Sequence, residues 1–383
     1  MALTLQEIRG RVLDTDSHEM IPASRWGDVF GERGRRFRES ADELLQFVDK
    51  RSGPDNPNRI LVDNEDDLEI TQETVWAVKG THAPSAIDMS RRHAVLDEMG
   101  VSRALVFSAM GINAWVEAHG GGFSGMPVAS PERQKIALDA LDAYTDWAIA
   151  TTTDRARIPG VLVTSRPGMT PEMMARKAEE MIRAGLKAIH IGTGHPPAGL
   201  SPADPAFDKF YAILAEANVA LVTHPPSGMG VMSDAWSKAA PLLSFAGNVH
   251  MAEENFTIQM VLGGVFERHP KLRFGAIECG ADWIGPLAER LDKGFGRDLL
   301  APGKARPSEY LNRNVRVSAV LSEEVEVWLE RYPQVQNCYC YSSDFPHREG
   351  EPWSLKKFYE RVSPLGSGVV EKFFCTNGQL LLP

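Results

Sequence analysis

Residues 11–19 read RVLDTDSHE, an apolar run followed directly by acidic, hydroxyl and imidazole side chains. The run RVLD (11–14) predicts a buried strand. In a doubly wound open sheet, a glycine-rich phosphate loop is expected after the first strand. This chain has Asp14, Asp16 and His18 there instead, and polar residues at a strand end are typical of the active-site rim of a (β/α)8 barrel. The stretch therefore favours the barrel over the open sheet.

The rest of the chain alternates short apolar runs with helix-like stretches. This alternation predicts parallel strands with right-handed crossovers, and so an α/β fold, a (β/α)8 TIM barrel, in a single domain over residues 1–383. Two long polar or glycine-rich segments, 20–100 after the first strand and 225–260 after the fifth, predict insertions that form a lid or substrate wall. The predicted strands are RVLD (11–14), RALVF (103–107), PGVLVT (159–164), LKAIHIG (186–192), VALVTH (219–224), LRFGAIE (272–278), VRVSAVL (315–321) and NCYCYSSD (337–344).

The composition argues against several classes of partner. The 383 residues carry a formal net charge of -10, and no basic stretch is dense enough for a phosphate backbone, which predicts no nucleic-acid partner. No apolar run reaches membrane-spanning length, and the opening MALTLQEIRGRVLD lacks the apolar core of a secretory signal. The four cysteines are too few and too irregularly placed for a disulfide framework. These features predict a cytoplasmic protein with no membrane partner.

Five predicted strands end in residues that can bind a metal ion. Side chains alternate along a strand, so Asp14, Asp16 and His18 are expected on one face. The same alternation predicts inward faces for the pairs Ala188 and His190, Val222 and His224, Ala276 and Glu278, and Ser342 and Asp344. One histidine at a strand end is more often structural, but five such strands predict a metal site at the barrel rim. The candidate ligands are Asp16, His18, His190, His224, Glu278 and Asp344.

Other polar residues are weaker candidates. His250 and Glu254 are spaced i, i+4, so they lie on one face of a predicted helix and either support a metal or form a surface pair. We include His250 among the candidate metal ligands. His195, in the loop after the fourth strand, is either a ligand or a substrate contact, and His347, three residues after Asp344, either lines the rim or belongs to the surface. Trp115, Phe123 and Met126 lie near the run HGGGF and form either an apolar wall or ordinary core.

Four motifs give the chain a resemblance to a known family. They are VLDTDSHE, LVTHPP, GGVFERHPKLRFGAIECGADWIGPLAERLD and YSSDFPHREG. With them, the chain resembles the amidohydrolase-related family of the amidohydrolase superfamily over nearly its whole length. The resemblance implies a metal-dependent barrel, often dimeric, in which the first strand supplies a pair of ligands, the fifth a histidine and the eighth an aspartate. Carried over, these ligands are Asp16, His18, His224 and Asp344.

The chain also departs from the family pattern. The first ligand is Asp16, where hydrolases mostly have histidine, and Glu278 replaces the histidine that several decarboxylases use at the sixth strand. His190 lies near the place of the bridging lysine carbamate. These departures resemble a TIM-barrel branch of non-haem di-iron monooxygenases, of the platensimycin and platencin diterpenoid hydroxylase type. Six candidate ligands also exceed the needs of one catalytic zinc ion and could hold two ions.

The favoured hypothesis is therefore a di-iron monooxygenase that hydroxylates an apolar carboxylic acid or its CoA thioester. It would need O2 and an electron donor, and Glu278, His224 and Asp344 would be its catalytic residues. The alternative is a mononuclear zinc or manganese decarboxylase or hydrolase that acts on a small carboxylic acid. A barrel that only binds a ligand is the third hypothesis, and the resemblance also implies a homodimer.

Overall fold

The computed structural model describes residues 3–122, 125–161, 169–194, 196–225, 247–293 and 304–383. All strand pairs within these ranges are parallel, and they form two sheets, of the strands β1 to β3 and β4 to β9 in sequence order. The strands are β1 (Val12–His18), β2 (Val101–Phe107), β3 (Ala156–Arg157), β4 (Gly160–Val161), β5 (Ala188–His190), β6 (Ala220–Thr223), β7 (Arg273–Ala276), β8 (Val315–Ser318) and β9 (Tyr339–Cys340).

The two sheets join into one closed barrel. Between β3 and β4 lie only Ile158 and Pro159, and because proline has no amide hydrogen it interrupts the ladder there. The predicted third strand, 159–164, is therefore replaced by two short strands, and its residues 162–164 lie outside the described residues. At the other seam, the amide of Thr15 donates to the Tyr341 carbonyl over 3.2 Å. The prediction of a (β/α)8 barrel is confirmed.

Helices cover the barrel between its strands. The Thr170-Pro171 pair begins a helix, with the threonine hydroxyl accepting a hydrogen bond from the Met173 amide at 3.4 Å. The helices are α1 (Leu5–Ile8), α2 (Trp26–Ser40), α3 (Asp42–Ser52), α4 (Gln72–Ala77), α5 (Arg92–Met99), α6 (Ala109–Ala118), α7 (Pro131–Thr151), α8 (Pro171–Arg183), α9 (Asp208–Glu216), α10 (Met251–Leu262), α11 (Val265–Arg268), α12 (Ile284–Lys293), α13 (Pro307–Asn314), α14 (Val325–Arg331), α15 (Ser354–Val362) and α16 (Ser367–Glu371).

The predicted insertion at 20–100 contains α2 to α5, and the start of α10 falls in the predicted insertion at 225–260. Residues 226–246 of the second insertion lie outside the described residues. No helix within the described ranges combines the length and the apolarity of a membrane span. All four cysteines are buried and free.

The C-terminal residues fill the end of the barrel opposite the polar rim. Leu381 and Leu382 are completely buried in a cluster with inward side chains of the strands, such as Leu13 and Ala220. Four arginines, each on a different strand, donate hydrogen bonds to carbonyl oxygens of this segment. They are Arg103 to Leu382, Arg157 to Pro383, Arg273 to Leu380 and Arg316 to Asn377.

Candidate metal centre

The strand ends bring five of the predicted ligands together at one rim of the barrel. Asp16 and His18 lie in the last part of β1, and His224 directly follows β6. Glu278 lies two residues after β7, and Asp344 lies four residues after β9. Ligand atoms of Asp16, His18, His224 and Glu278 all lie within 4.8 Å of one another. The predicted convergence at the carboxyl ends of the strands is therefore present.

The separations within this cluster are short. His18 Nε2 lies 3.3 Å from Asp16 Oδ1 and 3.1 Å from Asp344 Oδ1. His224 Nε2 lies 2.9 Å from Glu278 Oε2 and 3.5 Å from Asp16 Oδ1. Two atoms that bind the same ion with bonds of about 2.0 to 2.2 Å are about 3 to 3.6 Å apart, depending on the angle at the ion. The observed spacings are therefore those of ligands that share an ion.

The orientation of the donors fits a metal as well. Asp16 Oδ1 and His18 Nε2 are buried and make no directed hydrogen bond within the part of the chain that the structure describes. A buried polar atom without a well-directed hydrogen bond costs free energy, and an ion held by Asp16 and His18 would satisfy both atoms. His224 Nδ1 lies 2.5 Å from the Pro225 carbonyl, to which it can only donate. This tautomer leaves the Nε2 lone pair for the metal.

A β-bulge in β1 decides which of its side chains reach the rim. Asp14 pairs with Ala104 and Ser17 pairs with Val106, so three steps along β1 match two along β2. Before the bulge Leu13 points into the barrel, and after it Asp16 and His18 do so. The prediction that Asp14 shares their face is wrong, because the extra residue reverses the alternation. Asp14 instead accepts a hydrogen bond from the amide of Ser343, which follows β9 at the seam of the barrel.

The sixth predicted strand also departs from simple alternation. Ile277 packs in the inner cluster, whereas Ala276 packs in the outer core, so the prediction that Ala276 and Glu278 face inward together is wrong. Glu278 reaches the rim because its backbone turns there, with φ at 58°. Asp344 has φ at 49°. Left-handed backbone is unfavourable for residues with a side chain, and at Glu278 and Asp344 it turns two candidate ligands toward the rim.

The carboxylates and imidazoles shift one another's acidity. Burial disfavours the charged ring of His18, but the nearby Asp16 and Asp344 outweigh it and raise the pKa of His18 to about 9. The pKa of His224 is also raised, against its burial, by Glu278 and Asp16. Burial raises the pKa of Glu278, so this carboxyl retains a proton more readily than an exposed one. Without an ion, the cluster therefore holds protons that a metal would displace.

His347 is a further member that the sequence left undecided between rim and surface. Its Nδ1 lies 2.9 Å from Asp344 Oδ1, and its ring stacks on His18 with centroids 3.8 Å apart. His18, Glu278, Asp344 and His347 form a second group whose ligand atoms lie within 4.8 Å of one another. The only sequence feature that points to His347 is its place three residues after Asp344.

The remaining histidine candidates lie apart from the two groups. His190 is buried at the end of β5 with its ring 6.3 Å from that of His224, and burial lowers its pKa to about 3. A neutral His190 is thus a neighbour of the cluster, outside both groups of the described residues. His250 precedes α10 and lies 3.8 Å from Glu254, which also pairs with Arg290, so the structure does not bring it to the cluster. His195 lies outside the described residues.

Comparison with known proteins agrees with the fold. The family model described as amidohydrolase matches residues 117–382. The chain belongs to the amidohydrolase family. A search of curated proteins with the sequence of this amidohydrolase finds no significant match.

Solved structures resemble the amidohydrolase over almost its full length. An amidohydrolase from Mycobacterium avium subsp. paratuberculosis K-10 has a TM-score of 0.65 at 20% identity, covering 97% of this chain and 99% of that one. 5-Carboxyvanillate decarboxylase from Novosphingobium aromaticivorans, with bound manganese, has a TM-score of 0.59 at 18% identity, with 97% and 96% covered. 2,6-Dihydroxybenzoate decarboxylase from Rhizobium has a TM-score of 0.56 at 15% identity, covering 97% of this chain and 98% of that one. These likenesses establish the shared barrel fold.

A cavity of about 800 Å³ opens above the ligands of this amidohydrolase. His224, Glu278, Asp344 and His347 lie among its lining residues, and Arg51 supplies a cation. Helix α3 of the first insertion contributes to the wall of this cavity, and its role as a substrate wall stays a prediction. Met126 lines the cavity, whereas Trp115 packs in the core and Phe123 lies outside the described residues. The apolar lining includes Phe47, Val48, Ile112, Val249, Val320 and Leu321.

Proposed function

We propose that this amidohydrolase is a metal-dependent decarboxylase of an apolar carboxylic acid about the size of an aromatic acid, working with one manganese or zinc ion. The observation that carries the proposal is the buried set of carboxylate and imidazole ligands at the floor of a largely apolar cavity. Mixed oxygen and nitrogen donors suit such ions. The manganese-containing 5-carboxyvanillate decarboxylase and the 2,6-dihydroxybenzoate decarboxylase support the choice of reaction.

Asp16, His18, His224 and Asp344 would hold the ion in this proposal. Bound there, the metal would supply a Lewis acid that orients and polarises the substrate. The Pro225 carbonyl keeps His224 in the tautomer that ligation requires. The apolar wall would contact the substrate body, and a weakly polar surrounding favours conversion of a charged carboxylate into neutral CO2.

Glu278 is the residue that moves the proton. Burial raises its pKa, so it can be protonated when the substrate binds. As the bond between the substrate carbon and its carboxylate breaks, the electron pair stays on that carbon and the Glu278 proton is transferred to it. The products are CO2 and the protonated substrate body, and solvent returns the proton to Glu278. Hydrolysis is the related alternative, with Glu278 accepting a proton from water.

A second candidate function rests on the second ligand group. His18 and Glu278 belong to both groups, and Asp344 and His347 complete the second. Two adjacent ions would fit the di-iron monooxygenase hypothesis, in which an apolar carboxylic acid or its CoA thioester is hydroxylated with O2 and an external electron donor. The matches to decarboxylases favour the first function over this one. The homodimer and the electron donor stay predictions.

Metal content and product analysis test the proposal. We expect about one manganese or zinc ion per chain by inductively coupled plasma mass spectrometry, and CO2 release from a panel of aromatic acids. In D2O, the product should carry deuterium at the carbon that lost its carboxylate. About two irons per chain with O2 consumption would transfer support to the monooxygenase. Absence of bound metal at equimolar concentrations would contradict both functions.

A further inference from the structure

Asp14 lies behind the metal ligands and ties two of their segments together. Its Oδ1 accepts a hydrogen bond from the Ser343 amide at 2.9 Å and one from the Asp16 amide at 3.2 Å. Its Oδ2 accepts from the Ser343 hydroxyl at 2.5 Å. The carboxylate is completely buried. One side chain thus holds the residue before Asp344 and the ligand Asp16 at the same time.

This tether lies at the seam where the barrel closes. Beyond Asp14, the ends of β1 and β9 meet through a few backbone bonds, such as Asp344 N to Asp16 O at 2.9 Å and His18 N to Phe345 O at 2.6 Å. The β-bulge before Ser17 turns Asp14 away from the rim and toward this seam, where it meets Ser343. A carboxylate with three donors at fixed positions restrains both segments, since each hydrogen bond constrains distance and direction.

We propose that Asp14 is a positioning residue that sets the spacing between the β1 ligands, Asp16 and His18, and the ligand Asp344. The inference rests on the metal site of the proposed function. Partners that orient metal ligands typically change metal affinity by about 10- to 100-fold when they are removed. Asp14 never contacts the ion or the substrate in this scheme and acts through the separation of the ligands it holds.

The test compares Asp14→Ala, Asp14→Asn and Ser343→Ala with a matched control. Glu19→Gln is that control, because Glu19 is an equally buried carboxyl with three donors, the Ile21 amide, the Ala109 amide and the Ser108 hydroxyl. Its contacts link β1 to the end of β2 and leave the Asp344 segment untouched. For each full-length variant, Mn2+ affinity is measured by titration, unfolding by thermal melting without metal, and ligand geometry by the visible spectrum of the Co2+-loaded protein.

We expect Asp14→Ala to weaken Mn2+ binding by roughly 10- to 100-fold and to shift the Co2+ spectrum. Asp14→Asn retains one acceptor oxygen and should lose less Mn2+ affinity. Adding Ser343→Ala to Asp14→Ala should weaken Mn2+ binding little further, because the hydrogen bond between the two residues is already gone. Glu19→Gln should lower the melting temperature while its affinity and spectrum stay those of the unaltered protein. If Asp14→Asn and Ser343→Ala also keep that affinity and spectrum, the positioning role is overturned. If the unaltered protein binds no metal, the proposed function fails, and the positioning role fails together with it.

Discussion

The amide of Asp344 donates a hydrogen bond to the carbonyl oxygen of Asp16 over 2.9 Å, although 328 positions separate the two residues. The bond closes the barrel at the point where two candidate ligands meet. Their carboxylate oxygens lie 3.3 and 3.1 Å from His18 Nε2. The ligand cluster therefore depends on closure of the barrel, and the predictions below separate the chemistry of the cluster from the stability of the fold.

Removal of one ligand should abolish metal binding without unfolding the protein. Asp344→Ala and His224→Ala are each expected to weaken binding by more than about 100-fold, because each removes a ligand from an ion with few protein ligands. Thermal stability without metal should fall in Asp344→Ala, because the variant removes the ion pairs of Asp344 with His18 and His347, but the protein should remain folded. Glu349→Gln is the control, because Glu349 lines the same cavity but bonds to Asn58. Normal metal content in both ligand variants would refute the site.

The pH should act in opposite directions on metal affinity and on metal-free stability. His18 has a folded pKa of about 9 against an ordinary value of 6.5, so folding favours its protonated form. The stability it contributes is present below pH 6.5 and is lost as pH rises through 9, by up to about 3 kcal/mol at roughly 1.4 kcal/mol per pKa unit. Metal needs the neutral ring, so affinity should rise over the same range. Urea unfolding and Mn2+ titration at pH 6 to 9 measure both, and His18→Gln should flatten the stability slope.

A buried carboxyl near the cluster should lower stability at neutral and alkaline pH. Burial raises the pKa of Glu253 to about 7, while its hydrogen bond from the Thr193 hydroxyl, at 2.9 Å, acts in the opposite direction. Between pH 4.5 and 7 the folded chain keeps a proton that the unfolded chain has lost, so stability falls as pH rises. Glu253→Gln should therefore raise the free energy of unfolding at pH 8, by up to about 3 kcal/mol, and change it little at pH 4.5. A gain of the same size at both pH values would contradict this cause.

The end of the barrel that the C-terminal residues fill offers a test that leaves the metal centre unchanged. A Cβ at Gly275 would lie 2.7 Å from Leu381 Cδ1, so Gly275→Ala should cost about 1 to 3 kcal/mol through overpacking. Leu381→Ala should cost about 2 to 5 kcal/mol by leaving a cavity. The double variant should lose less than the sum, because the alanine methyl group enters the space that Leu381 vacates. Mn2+ affinity should be unchanged in all three, and strictly additive losses in urea unfolding would show that the two sites do not share this contact.

The sequence by itself determined the fold class and most of the candidate ligands. Alternating apolar runs and helical stretches predicted the barrel, because parallel strands need crossovers. The carboxyl ends of parallel strands meet at one rim, so His224 and Asp344 could be placed there from their strands alone. The motifs predicted the same placement through their resemblance to the amidohydrolases, and the family match confirms membership of that family.

Only the tertiary structure decided how the side chains are aimed. The bulge that turns Asp14 away and the left-handed backbone that brings Glu278 inward are backbone departures that an alternating pattern cannot predict. The stacking of His347 on His18 requires the β1 and β9 segments to meet, and that contact exists only once the barrel has closed. Strand periodicity is a local property of the chain, whereas the geometry of a metal centre is set by contacts between residues hundreds of positions apart.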